Sequence, residues 1–168
     1  MKNTTILTFC TVLFFLTILL PSALHGAPAH EGGAAFRENV GEREWVLSEL
    51  RSGGRTTSIN RSGAGSQGFF TISFREDRGT FGSRGQVRGL GAPNQYFGAY
   101  TAGANKTLNI GSIARTIVPP REGGNLGESD FFNYLLPRVT RWEFYGGKLE
   151  LYSSNRNGSE AVLIFTPR

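Results

Sequence analysis

Two pairs of acidic residues are the strongest candidates for chemistry in this sequence. Glu76 and Asp77 follow an alternating apolar stretch, and Glu128 and Asp130 precede an apolar stretch with helical spacing. Paired carboxylates can act as the general acid and base of a glycosidase. Charged turns and helix N-termini also favour acidic residues, because carboxylates there stay solvated and complement the helix dipole. We favour this second interpretation for both pairs.

The histidines and the single cysteine lie too close to the N-terminus to complete a nucleophilic or metal site. The sequence contains two histidines, His25 and His30, and one cysteine, Cys10. A Ser-His-Asp or Cys-His arrangement therefore has no positioned base, and a zinc site has too few ligands. No phosphate-binding glycine motif stands in a suitable context either. We predict that the protein is not an enzyme and uses no metal or cofactor.

The first 29 residues have the layout of a secretory signal peptide. Lys2 precedes an apolar run over residues 6–20, and small residues follow that run. The run is shorter than the roughly 20 residues that a membrane helix needs, and no later apolar stretch is longer. Cleavage fits either after Gly26 or after Ala29, and an uncleaved N-terminal anchor is the alternative. We expect no stable membrane span after cleavage.

The remaining chain is expected in the periplasm or outside the cell, as a monomer without a lipid anchor. Cys10 lies in the middle of the apolar run, whereas a lipidated cysteine would follow the run. The net charge of the whole chain is +5, a mild excess that favours a solvated basic surface over a nucleic-acid interface. Anionic glycans, lipopolysaccharide and acidic proteins are the partners that this charge would suit.

The rest of the sequence divides into a mobile leader over residues 30–41 and one domain over residues 42–168. Within the domain, short apolar stretches such as residues 69–74 alternate with period two, which is typical of strands with one buried face. Gly146 and Gly147 separate two such stretches and predict a hairpin with a two-residue turn. The apolar spacing between residues 129 and 136 predicts one helix late in the chain.

These elements predict a mainly β (α+β) fold. We expect a strongly curved antiparallel sheet or a partly open small barrel, with about seven or eight strands and one late helix. Gly98 interrupts an alternating stretch and predicts a bulge, or the close approach of another backbone or ring. The segment 52–68 is rich in Gly, Ser and Arg and is expected to form a long exposed loop, either throughout or with one edge strand at residues 57–60.

The order of motifs along the chain is distinctive. WVL at residues 45–47 opens the first strand, and RGLGAPNQYFGAY at 88–100 precedes TLNIGSIARTIVPP at 107–120, an acidic-led helical segment and a closing hairpin. In this order the chain resembles the META domain family, whose bacterial representative is the heat-shock protein HslJ, over about residues 42–165. The positions that match the motifs of the family are Trp45, Gly89, Asn94, Tyr96, Gly98, Tyr100 and Thr116.

The resemblance implies that these positions are largely structural. The glycines permit tight turns, Asn94 bonds nearby backbone groups, and Tyr96, Phe97 and Tyr100 pack the sheet. A ligand contact by Asn94 or Tyr100 is the alternative. Two cysteines of the family motifs are replaced here by Pro93 and Pro120, which is consistent with the loss of a pair rather than of one member.

The resemblance also implies a function. It indicates an exported, non-enzymatic protein of the cell envelope, loosely linked to stress tolerance, whose molecular activity is not established in the family. The alternative is a secreted binding or protease-inhibitor-like module. Such a module would hold a protein or a small apolar ligand through the mouth of the barrel or through the exposed loop 52–68.

Overall fold

The computed structural model describes residues 29–59, 69–76, 84–119 and 126–168. The strands in these residues are β1 (Glu44–Ser52), β2 (Arg55–Ser58), β3 (Thr71–Glu76), β4 (Arg84–Gly91), β5 (Asn94–Ala102), β6 (Leu108–Arg115), β7 (Arg141–Tyr145), β8 (Lys148–Ser154) and β9 (Glu160–Pro167). The helices are α1 (Ala29–Val40) and α2, which begins as an α-helical turn at Glu128–Asp130 and continues as a π-helical turn at Phe131–Leu135. A 3₁₀ turn at Ala104–Lys106 joins β5 to β6.

All the strands belong to one antiparallel sheet. Its order is β6-β5-β4-β3-β1-β9-β8-β7, and β2 pairs with β1 outside this path. The first and last strands of the domain therefore lie side by side in the middle of the sheet. The predicted hairpin between β7 and β8 is confirmed, with Gly146 and Gly147 at φ values of 58° and 76°. This left-handed backbone is the one that a two-residue hairpin turn requires.

The sheet curls until its two edge strands meet at one end, which confirms the predicted strongly curved sheet. Thr107 forms a β-bridge with Arg141, and the Leu108 N–H donates to the Thr140 carbonyl at 3.0 Å. Further along, β6 and β7 do not pair with each other within the described residues. The result is a partly open barrel with a seam between β6 and β7.

Glu143 on β7 reinforces the closed end of this seam. Its carboxylate forms an ion pair with Lys106 in the 3₁₀ turn and another with Arg141 Nη1 at 2.8 Å. The hydrogen bond from Lys106 lowers the pKa of Glu143 below its ordinary value. The carboxylate is therefore charged at neutral pH and links the two edges of the sheet electrostatically.

A helix occupies the segment for which a mobile leader over residues 30–41 was expected, and this corrects the expectation. Phe36 and Val40 lie one turn apart on α1, and both are fully buried. The indole N–H of Trp45 donates to the Val40 carbonyl at 3.0 Å and fixes the end of the helix to β1. Packing against the sheet, rather than helix propensity, keeps this glycine-containing segment helical.

The helix predicted late in the chain is confirmed as α2. Its apolar residues Phe131, Phe132 and Leu135 are buried. The Phe131 ring centre lies 4.8 Å from that of Phe70 and 5.9 Å from that of Tyr96. The helix therefore covers one end of the half-barrel and contributes its aromatic rings to the core.

Several predictions fall on residues that the structure does not describe. These are the signal peptide up to residue 28, the acidic residue Asp77, residues 60–68 of the predicted exposed loop, and Pro120. Among the helices that are described, none combines the length and the apolar character needed to cross a membrane.

Candidate functional site

The central motif is built around the buried side chain of Asn94, at the first position of β5. Its amide nitrogen donates to the Val118 carbonyl at 2.9 Å and to Glu128 Oε1 at 2.6 Å. Its amide oxygen accepts hydrogen bonds from Thr116 Oγ1 at 2.9 Å and from the Val118 N–H at 2.7 Å. An asparagine side chain offers two donors and an oxygen with two lone pairs. Asn94 therefore has no capacity left for a ligand.

The same network joins three segments of the chain. Thr116 pairs with Gln95 twice, because its N–H donates to the Gln95 carbonyl at 3.0 Å and its hydroxyl accepts from the Gln95 N–H at 3.1 Å. Glu128 at the start of α2 also forms an ion pair with Arg115 Nη1 at 3.6 Å. The Arg115 guanidinium lies 4.7 Å from the ring centre of Phe132. Thr116 and Glu128 thus fix the end of β6 and the start of α2 to β5.

Tyr96 and Gly89 meet at a tight contact between β3 and β4. The Tyr96 hydroxyl donates to the Thr71 carbonyl at 2.8 Å, and burial raises the pKa of Tyr96 well above its ordinary value. A Cβ atom on Gly89 would lie 2.0 Å from the same carbonyl oxygen and 3.0 Å from the Tyr96 hydroxyl oxygen. The motif glycine is therefore required by close packing, and the tyrosine hydroxyl stays protonated at neutral pH.

The other motif positions are also packed into the sheet. The register between β5 and β6 shifts between Gly98 and Tyr100, which confirms the predicted bulge. A Cβ atom on Gly98 would lie 2.8 Å from the Ser112 carbonyl oxygen. Tyr100 and Trp45 are buried in the core, where the Tyr100 ring centre lies 5.1 Å from that of Phe74.

The end of the barrel near α1 is filled by Phe36. Its ring centre lies 5.0 Å from that of Phe74, 5.4 Å from that of Tyr100 and 5.1 Å from that of Trp142. Phe36 has no solvent-exposed surface. A small apolar ligand at this position would have to displace the phenylalanine ring and the helix that carries it.

The candidate carboxylates do not converge on one site. Glu76 lies opposite Gly85 at one end of β4, whereas Glu128 binds Asn94, which lies opposite Gly91 at the other end. This stretch of β4 spans about 20 Å, and the two carboxyl groups of a glycosidase lie within roughly 5–9.5 Å of each other. No group of three metal-binding side chains is found within the described ranges.

A groove of about 670 Å³ lies on the outer face of β3, β4 and β5. Its charged residues are Glu42, Arg43, Glu44, Arg75, Arg88 and Arg115. Arginines therefore outnumber carboxylates, and the Glu44 carboxylate is already paired with Arg168 Nη1 at 2.9 Å. The aromatic ring of Phe97 also lines the groove. This side chain is 64% exposed, which corrects the expectation that it packs the sheet together with Tyr96 and Tyr100. This is an open, basic surface with one apolar ring.

Comparison with known families identifies the fold. A family model of the META domain matches residues 38–167. The chain belongs to the META domain family. This META domain is also similar to a protein from Burkholderia xenovorans whose structure was solved by NMR, with a TM-score of 0.55 and 18% sequence identity over 87% of this chain and 93% of that chain. That likeness shows a shared fold. Among curated proteins, none matches this chain significantly.

The outer groove of the META domain is not predicted by the sequence motifs. Arg75, Arg88 and Phe97 stand on three different strands, and in the alternating pattern of its strand each directly follows a buried residue. The available signal was this alternation, which places all three side chains on the outer face of the sheet. Their proximity depends on strand register, which the alternation does not specify.

Proposed function

We propose that this META domain protein is exported, non-enzymatic and located in the cell envelope, where it acts by binding and contributes to stress tolerance. The layout of residues 1–29 supports export. The hydrogen bonds of Asn94 carry the non-enzymatic part of the proposal, because all its donors and acceptors are used to hold the fold. The outer groove, with its exposed arginines and phenylalanine, supports the binding role.

Capture with three forms of the full chain tests the binding role. The forms are the unchanged chain, a groove variant with Arg75→Gln and Arg88→Gln, and a variant lacking residues 53–68. Each is cross-linked in envelope extract, and the captured proteins, lipids and saccharides are identified by mass spectrometry. We expect the unchanged chain to capture a partner that the groove variant does not. A captured molecule that the protein converts chemically would contradict the non-enzymatic proposal.

Export and stress tolerance are tested in cells. We expect the periplasmic fraction or culture fluid to contain a chain that begins at Ala27 or His30. Cells without the protein should lose tolerance to an envelope-damaging agent, and the full chain should restore it. A chain lacking residues 1–29 should not restore tolerance. Recovery of an unprocessed chain from the cytoplasm alone would contradict the proposed location.

The ribbon formed by β1 and β2 favours a second candidate function, a binding or protease-inhibitor-like module that acts through an exposed loop. All four residues of β2 are exposed, and in the described residues this strand pairs with β1 outside the main path of the sheet. Gly53 and Gly54 form its tip with left-handed φ values of 57° and 74°. Capture that is lost without residues 53–68, but kept by the groove variant, would favour this second candidate.

A further inference from the structure

The charged side chains on the outer face of the sheet are paired on one half and partly unpaired on the other. On β1 and β8 the charges are paired across β9. Lys148 Nζ lies 2.9 Å from Glu49 Oε1, and Arg51 Nη2 lies 3.4 Å from Glu150 Oε1. Each positive side chain on this half already has an acidic neighbour, so this half has little to offer an anion.

Two arginines on β3 and β4 form no such ion pair in the described chain. Arg75 and Arg88 are exposed, and neither forms an ion pair with another described residue. Arg75 lies opposite Gln86, and Arg88 lies opposite Ser73. The two arginines are thus diagonal neighbours on one face of the sheet, with Cα atoms about 7 Å apart. Long side chains that start this close together can bring both guanidinium groups to one ligand.

Phe97 adds an open apolar surface beside these charges. It lies directly opposite Arg88 in the ladder between β4 and β5. Elsewhere on the sheet an arginine covers its neighbouring ring, as where the Arg141 guanidinium lies 3.6 Å from the ring centre of Tyr152. No arginine of the described chain lies over Phe97. The face of its ring is therefore available to a ligand.

The floor of the groove does not suit an extended peptide. β3, β4 and β5 each pair with a strand on both sides, so their backbone groups are already hydrogen-bonded within the sheet. A peptide that adds to a sheet binds mainly through free backbone groups of an edge strand. A ligand of this groove must be recognised by side chains alone, which here are guanidinium groups, one apolar ring, and the hydroxyl and amide groups of Ser73 and Gln95.

We propose that this groove binds an anionic saccharide, an inference that rests on the proposed binding function and names its ligand class. A guanidinium group holds a carboxylate or phosphate through two parallel hydrogen bonds. Arg75 and Arg88 hold the charged groups of neighbouring sugar units in this way. The ring of Phe97 packs against the apolar C–H face of a sugar.

Titration calorimetry with the full chain at low ionic strength tests this ligand class. The probes are an oligogalacturonate, a phosphorylated oligosaccharide, a neutral oligosaccharide of equal length, and an oligoglutamate of equal charge. We expect at least one of the two anionic saccharides to bind, with an affinity that falls as salt is added. The neutral saccharide should bind at least about tenfold more weakly, because it makes no charge-assisted hydrogen bonds. The oligoglutamate should be similarly weak.

Two matched double variants separate the groove from overall charge. Arg75→Gln with Arg88→Gln removes two positive charges from the groove, and Arg51→Gln with Lys148→Gln removes two from the paired half. We expect the first to weaken saccharide binding about 100-fold and the second less than about threefold. Phe97→Ala should weaken it about tenfold. The melting temperatures of the variants should stay close to that of the unchanged chain, since these are surface positions.

Three results would overturn the inference. Equal losses in the two double variants would show that net charge alone attracts the saccharide. Neutral saccharide or oligoglutamate binding as tightly as the anionic saccharides would show that the ligand class is wrong. Absence of binding by both anionic saccharides would also reject it. If capture from envelope extract then still depended on Arg75 and Arg88, the binding function would stand while the saccharide inference fails.

Discussion

Replacement of Phe36 by alanine should show that α1 is part of the folding core. The buried ring lies 5.0–5.4 Å, between ring centres, from Phe74, Tyr100 and Trp142. These three rings belong to β3, β5 and β7, so they stand on both sides of the seam. Phe36 therefore connects the helix to both flanks of the half-barrel, and its removal should weaken all of these contacts together.

The expected loss is about 3–5 kcal/mol of the free energy of unfolding, which is the usual effect of truncating a buried phenylalanine to alanine. The edge-to-face contacts of Phe36 with Phe74 and Trp142 favour the upper part of this range. Each such pair contributes about 0.5–1.5 kcal/mol beyond the area that it buries. For a domain of this size the melting temperature should fall by about 10–20 °C.

Urea denaturation followed by tryptophan fluorescence measures this loss, since Trp45 and Trp142 are both buried. Phe97→Ala is the matched control, because it makes the same change at a ring that is 64% exposed. The control should alter stability by less than about 0.5 kcal/mol. If Phe36→Ala also lost less than about 1 kcal/mol, a value typical of sites outside the core, then α1 would not contribute to the core and the reasoning would be refuted.

Three further substitutions test the motif and the seam by thermal or chemical denaturation. Asn94→Ala should lower the free energy of unfolding by about 2–4 kcal/mol, because it leaves buried partners without hydrogen bonds. A loss no larger than that of the exposed control Asn109→Ala would contradict this. Gly89→Ala should lower the free energy of unfolding by at least about 1–3 kcal/mol, because its methyl group would lie 2.0 Å from a carbonyl oxygen. The control Gly111→Ala should be tolerated, because its methyl group would meet no atom closer than 3.5 Å. Equal effects of the two glycine changes would argue against close packing. Glu143→Gln should destabilise the protein at pH 7 and have less effect at pH 3. The lowered pKa of Glu143 gives stability that is present above its unfolded pKa and is lost as pH falls through its folded pKa. A difference that is the same at both pH values would show that the carboxylate charge is not its source.

The strands and turns could be predicted because their signals are local. Phe70, Ile72 and Phe74 alternate with polar residues, as the two-residue repeat of a strand requires. Gly146 and Gly147 suit a turn with left-handed backbone. Each of these signals depends on residues within a few positions of one another. The curled sheet followed from their number and spacing, together with the motifs that the chain shares with its family.

The first helix could not be predicted in the same way. α1 contains adjacent glycines and few apolar residues, so its own sequence favours a helix weakly. Its stability comes from the burial of Phe36 and Val40 in the core, where the Phe36 ring contacts rings far along the chain. An isolated helix of this length is marginal in water. The helix therefore depends on the folded half-barrel, whose contacts cannot be predicted from the residues of the helix alone.

The hydrogen-bond network and the groove also depend on distant residues. Asn94 bonds to Thr116 and Glu128, which are 22 and 34 positions later in the chain. Arg88 and Phe97 become neighbours through the register of β4 and β5. The sequence was sufficient to show which side chains face outwards, because that direction follows from the local strand geometry. Which outward side chains meet was settled by the long-range pairing and curl of the sheet, because strand register depends on where the chain turns and on which faces it buries together.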